Sequence, residues 1–99
     1  MVEVRWTPEA AAWLKDIHDY IARDSPDAAA RVIEGIYQKV QMLREFPDIG
    51  YRYRSEEDGE IRILLYGHYR IAYLRRKPAE VVDVLGVFHG ALDLDRYLP

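Results

Sequence analysis

The chain has 99 residues, 49% of them hydrophobic, and a formal net charge of −3. This length predicts one domain spanning residues 1–99 with a single modest core. With no cysteine and three scattered histidines, the composition excludes a disulfide framework and thiolate metal sites, so we expect no metal and no other cofactor.

No apolar run approaches the ~20 residues that span a bilayer, and the N-terminus lacks the features of a signal peptide. We therefore expect no membrane partner and a cytoplasmic location. The acidic balance argues against a protein that coats nucleic acid. Basic residues are concentrated in residues 52–77, which hold seven Lys or Arg and four acids, whereas residues 1–50 hold six and nine.

The first predicted element is a strand over residues 2–6, where apolar and polar residues alternate. Two amphipathic helices follow, with apolar stripes over residues 10–21 and 29–43. Thr7 and Ser25 are the expected N-caps, and a proline follows each of them at the first helical position. Because only two residues separate the first helix from the second cap, the helices should form a tight antiparallel hairpin.

Residues 48–60 read as a polar loop with a turn at Asp58-Gly59. Residues 61–76 then read as two strands around a turn at Gly67-His68, and residues 80–88 as a third. These elements predict an α+β fold: an N-terminal strand, an antiparallel helix hairpin and a three-strand antiparallel meander, with the helices packed on one face of the sheet. Little of the chain remains to cover the other face.

A two-residue turn at Gly67-His68 would place Tyr66 opposite Tyr69 and Arg62 opposite Tyr73. Both faces of this hairpin are then largely apolar. One can pack on the helices, and the other would be an exposed surface with arginine on it. Such a patch on a small domain predicts a protein partner.

Five segments occur in a characteristic order: TPEA, DIHDYIARDSPDAAARV, LREFPDIGYRYR, IRILLYGHYRIAY and VVDVLGVFHGALDL. Together they resemble the RelE/ParE superfamily of toxins from bacterial type II toxin–antitoxin systems. The SPDAAARV and FHGALDL pieces are more similar to the ParE branch. The resemblance covers nearly the whole chain.

This resemblance implies a growth-inhibiting toxin of the plasmid-stabilisation type, neutralised by a cognate antitoxin in a hetero-oligomeric complex. The antitoxin would place a helix in the groove by the helix hairpin and add a strand to the sheet, two general modes of peptide recognition. ParE-like members are associated with inhibition of DNA gyrase and are not known as nucleases. The residues that we assign to antitoxin binding are Trp13, Ile17, Tyr20, Arg62, Tyr66 and Tyr73.

The alternative is a RelE-like, metal-independent endonuclease that cleaves mRNA on the ribosome. Such an enzyme needs a general base and cations that stabilise the phosphate. The matching candidates here are Arg62, Arg70, His89 and Tyr97. Against this reading, Leu64, Gly90 and Leu92 stand where nuclease relatives have basic residues, and each lost cation weakens RNA binding.

Two of the nuclease candidates also have a structural interpretation. Arg70 can serve the fold by bonding carboxylates or backbone carbonyls, and His89 can be a strand-end histidine satisfied by hydrogen bonds. A third functional reading is a degenerate homologue that binds the antitoxin but is not toxic. The gyrase-inhibitor reading ranks first.

Overall fold

The two helices begin at the proline-led caps that the sequence predicts. In the computed structural model, which describes residues 1–99, α1 spans Pro8–Ala22 and α2 spans Pro26–Gln41. The hydroxyls of Thr7 and Ser25 each accept a hydrogen bond from the backbone amide three residues on, at 3.1 Å. Neither helix has the length and apolar character that a membrane crossing requires.

Five strands form one sheet: β1 (Glu3–Trp6), β2 (Tyr51–Glu56), β3 (Gly59–Tyr66), β4 (Tyr69–Arg76) and β5 (Val81–His89). Their order is β1-β5-β4-β3-β2. The first strand lies parallel to β5, and the other neighbours are antiparallel. The predicted α+β class, with the first strand in the same sheet, is confirmed.

The predicted hairpin register is also confirmed. Tyr66 pairs with Tyr69, and Arg62 pairs with Tyr73. The turn between β3 and β4 places Gly67 at a φ of +56°, a left-handed conformation that glycine adopts without steric cost.

The predicted polar loop over residues 48–60 is wrong, because its centre forms the edge strand β2. The meander therefore has four strands, and its first turn lies at Glu57-Asp58 instead of Asp58-Gly59. Edge strands tolerate charge and irregularity. β2 pairs on one side only, and its register shifts between Arg52 and Arg54. Its alternating tyrosine and arginine residues therefore did not show the apolar pattern of a buried strand.

The main core lies between the helices and one face of the sheet. From the helices it takes Ala10, Ile36 and Val40, which carry no exposed surface. The sheet residues packed there are Leu64, Ile71, Tyr73, Val82, Val84 and Val87. This arrangement confirms that the helices cover one face.

The second face of the sheet is not bare, which corrects the expectation that little remains to cover it. Residues 90–99, the C-terminal segment, fold across this face through a single 3-10 turn at Leu94–Arg96. Leu94 and Leu98 are buried there, and the Arg70 guanidinium holds the segment by donating to two of its backbone carbonyls. The sheet residues that they cover are Ile61, Ile63, Ala72 and Phe88.

One nearly buried carboxylate ties three strands together. Asp83 of β5 accepts hydrogen bonds from Arg5 Nε of β1 and from Arg76 Nε of β4, both at 2.7 Å. Hydrogen bonding to Arg5, joined by that to Arg76, holds the pKa of the Asp83 carboxyl below its usual range.

Candidate functional site

An apolar groove opens between α1 and the sheet because β1 is short. The first strand pairs with β5 only along Val81–Val84. Beyond Val84 that side of β5 has no neighbouring strand, and α1 lies alongside. We call this cleft of about 350 Å³ the α1–sheet groove. It is lined by Trp13, Asp16, Ile17, Tyr20, Tyr69, Val87, His89 and Leu92.

Helical spacing brings three predicted residues to this groove. Trp13, Ile17 and Tyr20 lie at i, i+4 and i+7 and so share one side of α1. Trp13 and Ile17 are half-buried, whereas Tyr20 keeps 71% of its surface accessible. The groove therefore joins three of the six residues that we assigned to antitoxin binding.

Aromatic contacts hold one end of the groove. The Trp13 ring packs edge-on against Phe88, with centroids 4.8 Å apart, and against Tyr97 at 5.3 Å. Tyr97, from the C-terminal segment, thus lies beside the tryptophan, and 46% of its surface is exposed. This packing fixes the indole and gives the groove a rigid wall.

His89 lies at the other end of the groove, exposed at the end of β5. Its ring lies 6.1 Å from that of Tyr69 and 6.4 Å from that of His68. The Ala91 amide donates a hydrogen bond to His89 Nδ1 at 3.3 Å. This local hydrogen bond is the one expected of a structural strand-end histidine.

A second apolar groove lies on the opposite side of α1. This interhelix groove, of about 430 Å³, is lined by Trp6, Ala11, Leu14, Lys15, His18, Ile33 and Tyr37. Trp6 stacks on Tyr37, with centroids 6.4 Å apart and planes at 11°. Lys15 and His18 form its polar rim, and both contact Asp19.

The outer edge of β2 is the third feature open to a partner. Beside it stand three apolar side chains that are about half exposed, Phe46, Ile49 and Tyr51. A free edge offers backbone groups to an added strand, and apolar neighbours give such a strand something to pack on. The register shift before Arg54 limits how far a straight strand could pair.

Arg62 is engaged by the fold. Its Nη1 donates to the carbonyl of Asp48 at 2.9 Å and also to that of Gly50, and its Nε donates to Glu60 at 2.7 Å. Only 18% of the side chain is exposed. Arg62 therefore fixes the loop before β2 and presents little surface to a partner.

Arg70 serves the opposite face. Its Nη2 donates to the carbonyl of Gly90 at 3.0 Å and to that of Leu92. The structural interpretation of Arg70, a guanidinium bonded to backbone carbonyls, matches this geometry. Its contacts hold the start of the C-terminal segment against the sheet.

The nuclease candidates do not converge. Side chains alternate along a strand, and the register places Arg62 on the helix face and Arg70 on the face under the C-terminal segment. His89 pairs with Tyr69, four positions along β4 from the partner of Arg62. At ~3.4 Å per residue this separation is about 14 Å along the strands, so no single phosphate could contact all three.

Two residues that we assigned to antitoxin binding lie elsewhere. Tyr73 has no exposed surface; its hydroxyl donates to the Pro47 carbonyl at 2.8 Å and accepts from the Gly50 amide at 3.0 Å. Burial raises the pKa of Tyr73 to about 12. Tyr66 lies over Gly35 of α2, where an added Cβ would sit 1.8 Å from the phenol oxygen. Both tyrosines join the sheet to other elements.

Sequence reasoning missed several groove residues. Asp16 follows Trp13 by three positions and adjoins Ile17, so helical spacing alone could have placed it at this groove. Leu92 gave no such signal, because its position depends on the chain reversal after β5. No cluster of three or more histidine, aspartate or glutamate side chains has the geometry to hold a metal ion.

Comparison with known proteins gives one family. The family described as ParE toxin of type II toxin-antitoxin system, parDE, matches residues 4–94. The chain is 37% identical over 82 residues to Y4kP of Sinorhizobium fredii (strain NBRC 101917 / NGR234), whose name marks it as a candidate toxin; the match covers 83% of this chain and 84% of Y4kP.

Solved toxin–antitoxin complexes share the fold. A chain of the chromosomal ParDE system from P. aeruginosa superposes with a TM-score of 0.70 at 24% identity, over 90% of this chain and 96% of that one. A chain of the RelBE2 complex from Mycobacterium tuberculosis gives a TM-score of 0.58 at 26% identity, over 89% and 96%. A chain of the archaeal RelE-RelB complex from Pyrococcus horikoshii OT3 gives 0.60 at 13%, over 93% and 98%.

Proposed function

Because this chain belongs to the ParE family of toxins from type II toxin–antitoxin systems, we propose that it arrests bacterial growth by inhibiting DNA gyrase and that a cognate antitoxin neutralises it at the α1–sheet groove. The observation that carries the proposal is the family match over residues 4–94. It covers both helices and all but the first residue of the sheet.

The distribution of cations favours a protein target over mRNA. Arg62 and Arg70 lie on opposite faces, and each is bonded to backbone carbonyls. A nuclease needs cations aimed together at the phosphate on which charge develops. The chain also carries a net charge of −3, which opposes binding to the polyanionic ribosome.

The α1–sheet groove supports the antitoxin half of the proposal. It is open and largely apolar, with Tyr20 at its rim and Ile17 and Val87 inside. An amphipathic helix laid into such a groove buries apolar surface on both partners. Solved relatives of this fold include toxin–antitoxin complexes, and the free edge of β2 offers a second point of attachment.

Controlled induction in a bacterial host without antitoxin tests the target. Growth, transcript integrity and plasmid supercoiling are measured together, and the purified protein is added to a gyrase supercoiling assay. The proposal expects arrest with intact transcripts and loss of supercoiling activity. Arrest with transcripts cut within translated codons would replace gyrase by the ribosome, and normal growth at full expression would mark a degenerate homologue.

Co-expression of the antitoxin tests the groove. Tyr20→Ala removes an exposed ring at the groove rim, so the variant should stay toxic while escaping neutralisation. Leu65→Ala is the matched control, because Leu65 is 56% exposed but lies outside the groove. Equal neutralisation of both variants would move the antitoxin site away from α1.

A further inference from the structure

The surface around the α1–sheet groove is acidic. Residues 7–25, which comprise α1, its cap and the turn after it, hold four Asp or Glu and two Lys or Arg. The C-terminal segment on the other side of the groove adds two acids and one arginine. A partner that enters between these elements meets a net negative potential.

Ion pairing within α1 engages Asp19 and leaves Asp16 unpaired. Lys15 Nζ lies 2.6 Å from Asp19 Oδ2, and His18 Nδ1 lies 3.2 Å from the other oxygen of that carboxylate. Arg23 lies over the Tyr20 ring, 5.7 Å from its centroid. Asp16, which lines the groove, has no ion-pair or hydrogen-bond partner in the chain.

The neighbours of Asp16 suit a cation with an aliphatic stem. Tyr20 and Tyr69 bring aromatic rings to the same groove, and aromatic faces attract lysine and arginine head groups. The apolar lining, including Ile17, can pack against the methylenes of such a side chain. A carboxylate next to aromatic and aliphatic surface is thus complementary to lysine or arginine within an apolar segment.

Cationic groups near the groove are already committed. The Arg70 guanidinium bonds to the carbonyls of Gly90 and Leu92. The His89 ring accepts a hydrogen bond from the Ala91 amide at Nδ1. Neither side chain forms an ion pair or a hydrogen bond with Asp16.

We propose that the α1–sheet groove recognises a basic, apolar segment of the antitoxin, whose lysine or arginine side chain lies between Asp16 and the ring of Tyr20. The inference rests on the proposed function, since the antitoxin is the occupant. It adds the chemistry of the partner: the acidic groove selects a positively charged segment. The interhelix groove differs, because its rim carries Lys15 and His18.

Binding of the purified antitoxin to Asp16→Asn tests this assignment. Asparagine keeps the shape and removes the charge. At low ionic strength, about 0.05 M, the Kd should rise about threefold to tenfold, and at about 0.5 M the difference should largely vanish because salt screens exposed pairs. Asp16→Lys should weaken binding more than tenfold at low ionic strength, about the cost of a like-charge contact.

Glu57→Gln is the matched control, because it also removes one negative charge from an exposed position, in the turn between β2 and β3. Its Kd should equal that of the native protein. Tyr20→Leu keeps apolar surface but removes the ring. It should raise the Kd less in the Asp16→Asn background than in the native protein, because the two residues hold one cation.

Four outcomes overturn the assignment. Unchanged or tighter binding by Asp16→Asn at low ionic strength refutes the cation contact and leaves the proposed function standing. An equal loss of affinity in Glu57→Gln would mean that the overall net charge, and not a contact with Asp16, sets the affinity. If the isolated protein self-associates in a manner that Asp16→Lys abolishes, the groove holds a second copy of this chain. An antitoxin that fails to bind even the native protein overturns the proposed function as well.

Discussion

Tyr73→Phe removes a single oxygen from the interior of the molecule. The Tyr73 hydroxyl donates to the Pro47 carbonyl at 2.8 Å and accepts from the Gly50 amide at 3.0 Å. Both partners belong to the connection between α2 and β2, and Gly50 is buried. One hydroxyl on a central strand therefore fixes the loop from which the edge strand begins.

The expected loss follows from these two bonds. Each hydrogen bond contributes about 1 kcal/mol to stability, and a buried N–H left without a partner costs about 1–3 kcal/mol. The free energy of unfolding should fall by about 2–4 kcal/mol, a large part of the roughly 5–15 kcal/mol typical of a domain. For a domain of this size the Tm should fall by about 10–30 °C.

Urea unfolding followed by circular dichroism measures the loss, and amide exchange at Gly50 reports on the loop itself. Tyr51→Phe is the control: Tyr51 is 49% exposed and its hydroxyl bonds to no other residue, so its removal should change stability by less than about 0.5 kcal/mol. A similarly small change in Tyr73→Phe, with Gly50 still protected, would refute the assigned hydrogen bonds.

Three further predictions concern other contacts between elements of the fold. Arg70→Met should lower stability by about 1–3 kcal/mol and speed amide exchange in the C-terminal segment, because the clamp on two carbonyls is lost. In the native protein the pKa of Asp83 lies below its unfolded value of about 3.9, so the unfolded chain binds more protons and stability falls as the pH drops below about 4. Asp83→Asn removes this carboxyl, so the stability of the variant should depend less on pH in the acid range. Gly35→Ala should destabilise the native protein by about 1–2 kcal/mol through overpacking on Tyr66, but stabilise a Tyr66→Leu background by up to about 1 kcal/mol through helix propensity.

Each of these has a result that would count against it. Unchanged exchange in the C-terminal segment of Arg70→Met would mean that Leu94 and Leu98 hold it alone. An Asp83→Asn profile parallel to that of the native protein would assign the acid sensitivity to other carboxyls. Stabilisation by Gly35→Ala in the native background would show that the Tyr66 ring can swing away.

The helices and the central hairpin could be predicted because their signals are local. A cap hydroxyl such as Thr7 and the proline after it act within one turn. Likewise, the turn at Gly67 fixes the pairing of Tyr66 with Tyr69 through neighbouring residues. β2 was missed because an edge strand buries little surface, so its sequence need not look apolar.

The candidate site divides in the same way. Trp13, Ile17 and Tyr20 were found because one helix places them on one side. Arg62 and Arg70 could not be assigned from sequence, since an arginine in a strand can face a partner or bond to the carbonyls of a distant segment. The backbone carbonyls that they bind lie 12 to 22 residues away along the chain.

Sequence alone predicts the proline-led helix hairpin, the β3–β4 register and the family, because each depends on residues that are close together or on a pattern along the whole chain. The folded chain was needed to show what covers the second face of the sheet and which side chains stay unpaired. Leu94 and Leu98 reach that face through a chain reversal with no periodic pattern. Whether Asp16 is paired depends on which side chains lie near α1, so only the folded protein shows that this carboxylate is free to bind a partner.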